Sequence, residues 1–152
     1  MENKMPDRLN IRKSDRKDYD RLLEKDSPFA GKENKDLFMM ALIIGFHEET
    51  RVKLDGKEGF FLLYHLNDKE NSIIKAIAVA EEGDLNILLD KKKVYSIVEE
   101  YAAGGIKLLK DKVFSGGYGS YIKKLESELI DEFERIKSKR DSNLWNRIRR
   151  YS

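Results

Sequence analysis

The chain has 152 residues, 40% hydrophobic and 38% charged, with two prolines and no cysteine; this is one domain, or one domain with an appendage, and not a linker-rich or disordered protein. Disulfides, thiolate nucleophiles and cysteine-based zinc sites are excluded, and the longest apolar stretch, Leu37–Phe46, is half of the roughly 20 residues that span a bilayer. The net charge of +2 conceals an asymmetry: seven Lys or Arg against one acid, Asp141, between Arg135 and Arg150 give +6 there and leave −4 for the remainder, so a polyanion or an acidic partner is expected at the C-terminal end.

Residues 1–7 read as a disordered N-terminus, charged and without a signal-peptide apolar region, which predicts a cytoplasmic protein. Arg8-Leu-Asn-Ile-Arg12 alternates polar and apolar residues like a short half-buried strand. Ser14 or Asp15 is placed to cap a helix through Tyr19, Leu22 and Leu23. A second helix begins near Asn34 and ends near Gly45; Leu37, Phe38, Ala41, Leu42 and Ile44 make it apolar nearly all round, which places it in the core.

Asp55-Gly56 and Gly59 are turn signals between Val52-Lys-Leu54 and Phe60-Phe-Leu-Leu-Tyr64, a pattern for a β-hairpin, although Phe60–Leu66 would also open a helix. Asn71 or Ser72 is expected to cap a helix through Ile73, Ile74, Ile77 and Ala80, stopped by Gly83-Asp84. A helical turn at Leu85–Leu89 follows. The next long helix starts near Asp90 and contains Gly104-Gly105, which either kink it or admit another backbone.

Ser115-Gly-Gly-Tyr-Gly119 reads as a flexible loop. The last long helix carries Ile122, Leu125, Leu129, Phe133 and Ile136 as one stripe on a charged rod. Beyond Asp141-Ser-Asn143, Leu144, Trp145 and Ile148 alternate with Arg147, Arg149 and Arg150. These patterns predict an α+β protein, predominantly helical: a small β-hairpin or strand element packed with a helical bundle. The expected organisation is one globular domain over 8–134 and a basic helical extension over 135–152.

No residue pattern carries catalysis. His47-Glu48-Glu49 has Arg51 where a zinc helix needs its second histidine, leaving a polar helix end. His65, between Tyr64 and Leu66, reads as a partly buried structural histidine. The Ser115–Ser120 glycines lack the Gly-Lys-Ser/Thr ending of a phosphate loop and a preceding strand. The adjacent acids Glu81-Glu82 and Glu99-Glu100 point about 100° apart on a helix and read as solvated surface. No catalytic, cofactor or metal residue is expected.

Nucleic acid is the stronger direction. A strand followed by two helices has the outline of a ribbon-helix-helix reader, in which two strands pair across a dimer. Leu9 and Ile11 would then face inward, and Arg8, Asn10 and Arg12 outward toward base edges; the bland alternative is an edge strand or a frayed arm. In the tail, Lys137, Lys139, Arg140, Arg147, Arg149 and Arg150 are suited to phosphate, with Trp145 to stack on a base. Equally, Leu144, Trp145 and Ile148, together with the stripe from Ile122 to Ile136, suit burial against a partner protein. The few apolar residues of the tail argue against a membrane surface.

Five strings stand apart from general amphipathic rules: Ser27-Pro-Phe29, the Phe38-to-Gly45 helix ending Ile43-Ile-Gly45, Ala76-to-Asp84, Ile87-Leu-Leu-Asp90 and Glu99-Glu-Tyr-Ala-Ala-Gly-Gly105. Over about Leu22 to Leu109 the chain resembles the dnd system-associated protein 4 family, small proteins encoded beside bacterial and archaeal DNA phosphorothioation genes; the basic tail lies outside that resemblance. The resemblance implies a non-enzymatic accessory of a modification or restriction system in anti-phage defence, with DNA or defence-complex subunits as partners. It transfers no catalytic residue and is compatible with a homo-oligomer. The alternative is a purely structural subunit without DNA contact.

Overall fold

Arg8–Arg12 forms strand β1, with Leu9 and Ile11 buried and their neighbours toward solvent. The computed structural model that shows this describes residues 5–115 and, beyond them, isolated helical positions between 123 and 139. The partner of β1 is not a second copy. It is β2, Lys57–Leu62, running antiparallel within the same chain. The register steps from Leu9↔Phe61 to Asn10↔Gly59 and leaves Phe60 as an extra residue, a bulge.

The expected hairpin between Val52–Leu54 and Phe60–Tyr64 is therefore corrected. Val52–Leu54 is not a strand; Val52 N donates to Glu100 O at 3.0 Å. The apolar alternation of β2 is satisfied instead by β1, some 50 positions earlier, and two helices intervene. The same pairing occupies one edge of β1 and makes it an edge strand of a two-stranded sheet.

After a 3₁₀ turn at Lys13–Asp15, helix α1, Arg16–Leu22, buries Tyr19 and Leu22, and the Tyr19 ring meets Phe60 at 4.5 Å. Helix α2, Asn34–His47, is opened by Asp36, which accepts from Glu33 N at 3.1 Å. It buries Leu37, Phe38, Ala41, Leu42 and Ile44 on several sides, as its unbroken apolar sequence requires.

Helix α3, Asp68–Glu82, starts three residues before Asn71. Its cap is Asn67, whose Oδ1 accepts from Glu70 N at 2.8 Å while Glu70 Oε1 accepts from Asn67 N at 3.0 Å. This reciprocal box ties up two orphan donors, and Asn71 and Ser72 instead donate back to Asn67 O and Asp68 O. Gly83, at φ 70°, stops the helix as predicted.

A second 3₁₀ turn, Leu85–Leu89, leads into α4, Lys91–Phe114. Asp90 Oδ1 caps α4 by accepting from Lys93 N at 3.2 Å. Gly104 and Gly105 do not mark a break in α4, which is continuous through them. A Cβ at Gly105 would lie 1.7 Å from Ala41 O, one at Gly45 1.9 Å from Tyr101 O, and one at Gly104 2.0 Å from Thr50 O. Helices α2 and α4 cross backbone to backbone, and only glycine fits there.

Contacts divide the chain into Met1–Val113 and Phe114–Ser152, earlier than the boundary at 134 expected from charge. In the second unit the described positions 123, 124, 127, 130, 131, 134, 135, 138 and 139 are helical and exposed.

Candidate functional site

The outward face of β1 is less available than its sequence implies. Arg8 is exposed and paired with Asp7 at 3.0 Å. Arg12 donates to both carboxylate oxygens of buried Asp15, at 3.0 and 3.2 Å, and the hydrogen bonds hold its guanidinium above the usual value. Asn10 is half-buried, and its backbone N–H donates to Glu99 Oε2 at 2.6 Å. These three side chains share the outer face of one strand, but one of the two arginines is already neutralised by a buried partner.

Lys139 is helical and exposed in the second unit. Lys137, Arg140, Trp145, Arg147, Arg149 and Arg150 lie outside the described residues. So do Ile122, Leu125, Leu129, Phe133, Ile136, Leu144 and Ile148.

Three polar features escaped the sequence reading. Glu99, expected on solvated surface, is only 4% exposed and joins α4 to β1. Burial raises its carboxyl above the ordinary value, opposed by the Asn10 N–H and by Lys57, whose Nζ is 3.9 Å away. Beside it lies a cleft of about 370 Å³ lined by Lys53, Lys57, Ser96 and Glu100.

Arg51 is the second. Its guanidinium bridges Glu81 and Glu100, at 2.8 and 2.7 Å, and sits 5.9 Å from the centre of the Tyr101 ring. The Tyr101 hydroxyl donates to Glu81, which holds the Glu81 carboxyl below its usual value, with Arg51 adding to the effect. Burial and that same bond push the Tyr101 phenol up to about 12. The third is Asp18, buried on α1 and bound by Lys110 of α4 at 2.9 Å.

Each of these acids thus links two segments distant in the chain. Nothing local in the sequence marks them, apart from the spacing that puts Glu99 on the same face as buried Ala102, Ala103 and Ile106. His65 is exposed rather than partly buried and lies 4.2 Å ring to ring from Tyr64. Among the described residues no group of three His, Asp or Glu is arranged to hold a metal ion. No helix there is long and apolar enough to cross a membrane.

The model of the family described as DNA sulphur modification system-associated protein 4 matches residues 11–147. The chain belongs to that family. The match takes in every string that carried the resemblance and continues through the basic segment to Arg147, which corrects the expectation that the tail stands outside it. No curated protein and no solved structure matches the chain. For this member of a DNA sulphur modification system-associated family, the strings Phe38–Gly45 and Glu99–Gly105 are two sides of one helix crossing. They are explained by packing, and chemistry has to be sought elsewhere.

Proposed function

We propose that the protein is a non-enzymatic, cytoplasmic accessory of a phosphorothioation-linked modification or restriction system in anti-phage defence, binding DNA through its basic C-terminal segment and a larger subunit through its apolar surface. The observation that carries this reading is the segregation of charge: +6 between Arg135 and Arg150 against −4 in the rest of the chain. A cluster of cations this close in the chain repels itself, and neutralising phosphate relieves that repulsion. The carboxylates of the body support the same reading. Asp18, Glu81, Glu99 and Glu100 are engaged in ties between segments, as a scaffold uses them.

In this reading Lys137, Lys139, Arg140, Arg147, Arg149 and Arg150 contact phosphates and Trp145 stacks on a base. Arg8 and Asn10 are secondary contacts, and Arg12 contributes only after leaving Asp15. The test is fluorescence anisotropy on a short duplex across a salt series, comparing the intact chain with one ending at Glu134. Counterion release gives a slope of about −0.9 per phosphate contacted. The intact protein should bind with a steep slope, and truncation should flatten it by several units. No binding by either at low salt removes DNA from the reading.

The second reading, a structural subunit without DNA contact, is favoured by the apolar stripe from Ile122 to Ile136. It predicts that Phe133→Ala or Trp145→Ala abolishes assembly while Arg→Ala changes in the tail leave it intact.

A further inference from the structure

The string Ile87-Leu-Leu-Asp90 is only half explained by the fold. Ile87 is buried and pins the 3₁₀ turn, and Asp90 caps α4. Leu85 and Leu89 do neither: they stand 72% and 87% exposed. Scattered exposed leucines are ordinary, but Leu89 borders a cleft of about 260 Å³ together with Met5, itself 59% exposed, and the rim of that cleft is Lys91 and Lys92. Lys91 also lines a narrow cavity of about 50 Å³ among Leu88, Tyr95 and Lys75. Apolar surface with a cationic rim is the pattern of an interface core and its edge.

We infer that the Leu85–Leu89 turn with the start of α4 is a docking surface for an acidic, apolar-anchored segment of a protein subunit of the modification system. This rests on the accessory-subunit reading above and names the partner's chemistry. Charge selects the occupant. Of the described residues lining the two cavities the cations are Lys75, Lys91 and Lys92 and the acid is Asp90, three positive charges against one negative. The chain's own tail offers Leu144, Trp145 and Ile148 only in the company of arginines, so like charges would meet. A second copy paired about a twofold axis sets lysines against lysines. DNA would satisfy the lysines but leave Leu85 and Leu89 against a charged backbone. A segment with one or two bulky apolar residues flanked by Asp or Glu satisfies both features.

The test uses the full chain co-expressed with the protein subunits of the system, with a photo-reactive residue at position 89. The expected result is a cross-link to one subunit, mapping to a segment with apolar residues beside Asp or Glu. Leu85→Ser combined with Leu89→Ser should lower co-purification about tenfold or more with an unchanged thermal midpoint, since both positions are exposed. Lys91→Glu should weaken capture, and reversing an acid in the cross-linked segment should restore it. Cross-links confined to a second copy, to the tail or to DNA overturn the inference, as does undiminished co-purification of the double variant. If the unaltered chain captures no subunit, the subunit half of the functional reading falls with it; if only the double variant behaves like the unaltered chain, this inference falls alone.

Discussion

Glu99 lies on α4 almost wholly out of water, and its Oε2 takes the Asn10 N–H at 2.6 Å. Replacing it by Ala leaves a backbone donor at the edge of β1 without its acceptor, a cost of about 1–3 kcal/mol, measurable by urea unfolding. Glu99→Gln keeps an acceptor and removes the charge. Because burial raises the Glu99 carboxyl above 4.5, the native state holds its proton more tightly than the unfolded chain does. Its contribution is therefore most favourable at low pH and declines as pH rises through the unfolded and then the folded value. The stability of wild type relative to Glu99→Gln should fall as pH is raised from about 4 toward neutrality.

Glu81 has the opposite sign. Its carboxyl is held down by the Tyr101 hydroxyl and Arg51, so its contribution is complete above the unfolded value and is lost as pH falls through the folded one. At the alkaline end, Tyr101 retains its proton to about 12 against an ordinary 10, so its contribution disappears between those limits. Tyr101→Phe should remove that alkaline loss from a pH series of unfolding midpoints.

At the scale of elements, the crossing of α2 and α4 is set by two glycines, Gly45 and Gly105, while Gly104 admits the backbone of Thr50 just beyond α2. Gly45→Ala and Gly105→Ala each drive a methyl into a backbone carbonyl of the other helix. Neither helix can yield locally, so each substitution should cost about 3 kcal/mol or more, at the upper end of overpacking. Gly83→Ala meets nothing within 4 Å and suffers only its left-handed backbone at φ 70°, about 1 kcal/mol. Urea midpoints of the three variants separate collision from conformation. The α2 and α4 boundaries were legible because caps, stops and apolar spacing are local. The start of α3 was misplaced because Asn67 and Glu70 form their box ahead of the apolar run. The strand pairing was missed because the nearest turn signal, Asp55-Gly56, joins β2 to no strand before it.

At the scale of the molecule, the charge is segregated along the chain: +6 between Arg135 and Arg150 against −4 in the remainder. If the cations act together on DNA, combined Ala substitution of Arg140, Arg147, Arg149 and Arg150 should flatten the salt slope by up to about 3.6 and leave the unfolding midpoint of the body in place. Anisotropy and urea unfolding on the same preparation check both halves. The body contributes a different kind of surface, the turn at Leu85–Leu89. Its apolar exposure calls for a protein partner and not for phosphate, so the two ends of the chemistry can be mutated independently.

Composition and local pattern were sufficient for the helical class, for the core character of α2 and for the stop at Gly83, because each depends on neighbours within a few residues. They also bounded the crossing glycines to two outcomes, a kink or a close approach. The choice between those outcomes belonged to the tertiary structure, which brings Ala41, Thr50 and Tyr101 carbonyls against glycine backbones. The same holds for β1 with β2, for Glu99 with Asn10 and for Asp18 with Lys110. Such pairings join residues about 50 to 90 positions apart, and their energies come from excluding water around both partners at once, which no single stretch of chain encodes.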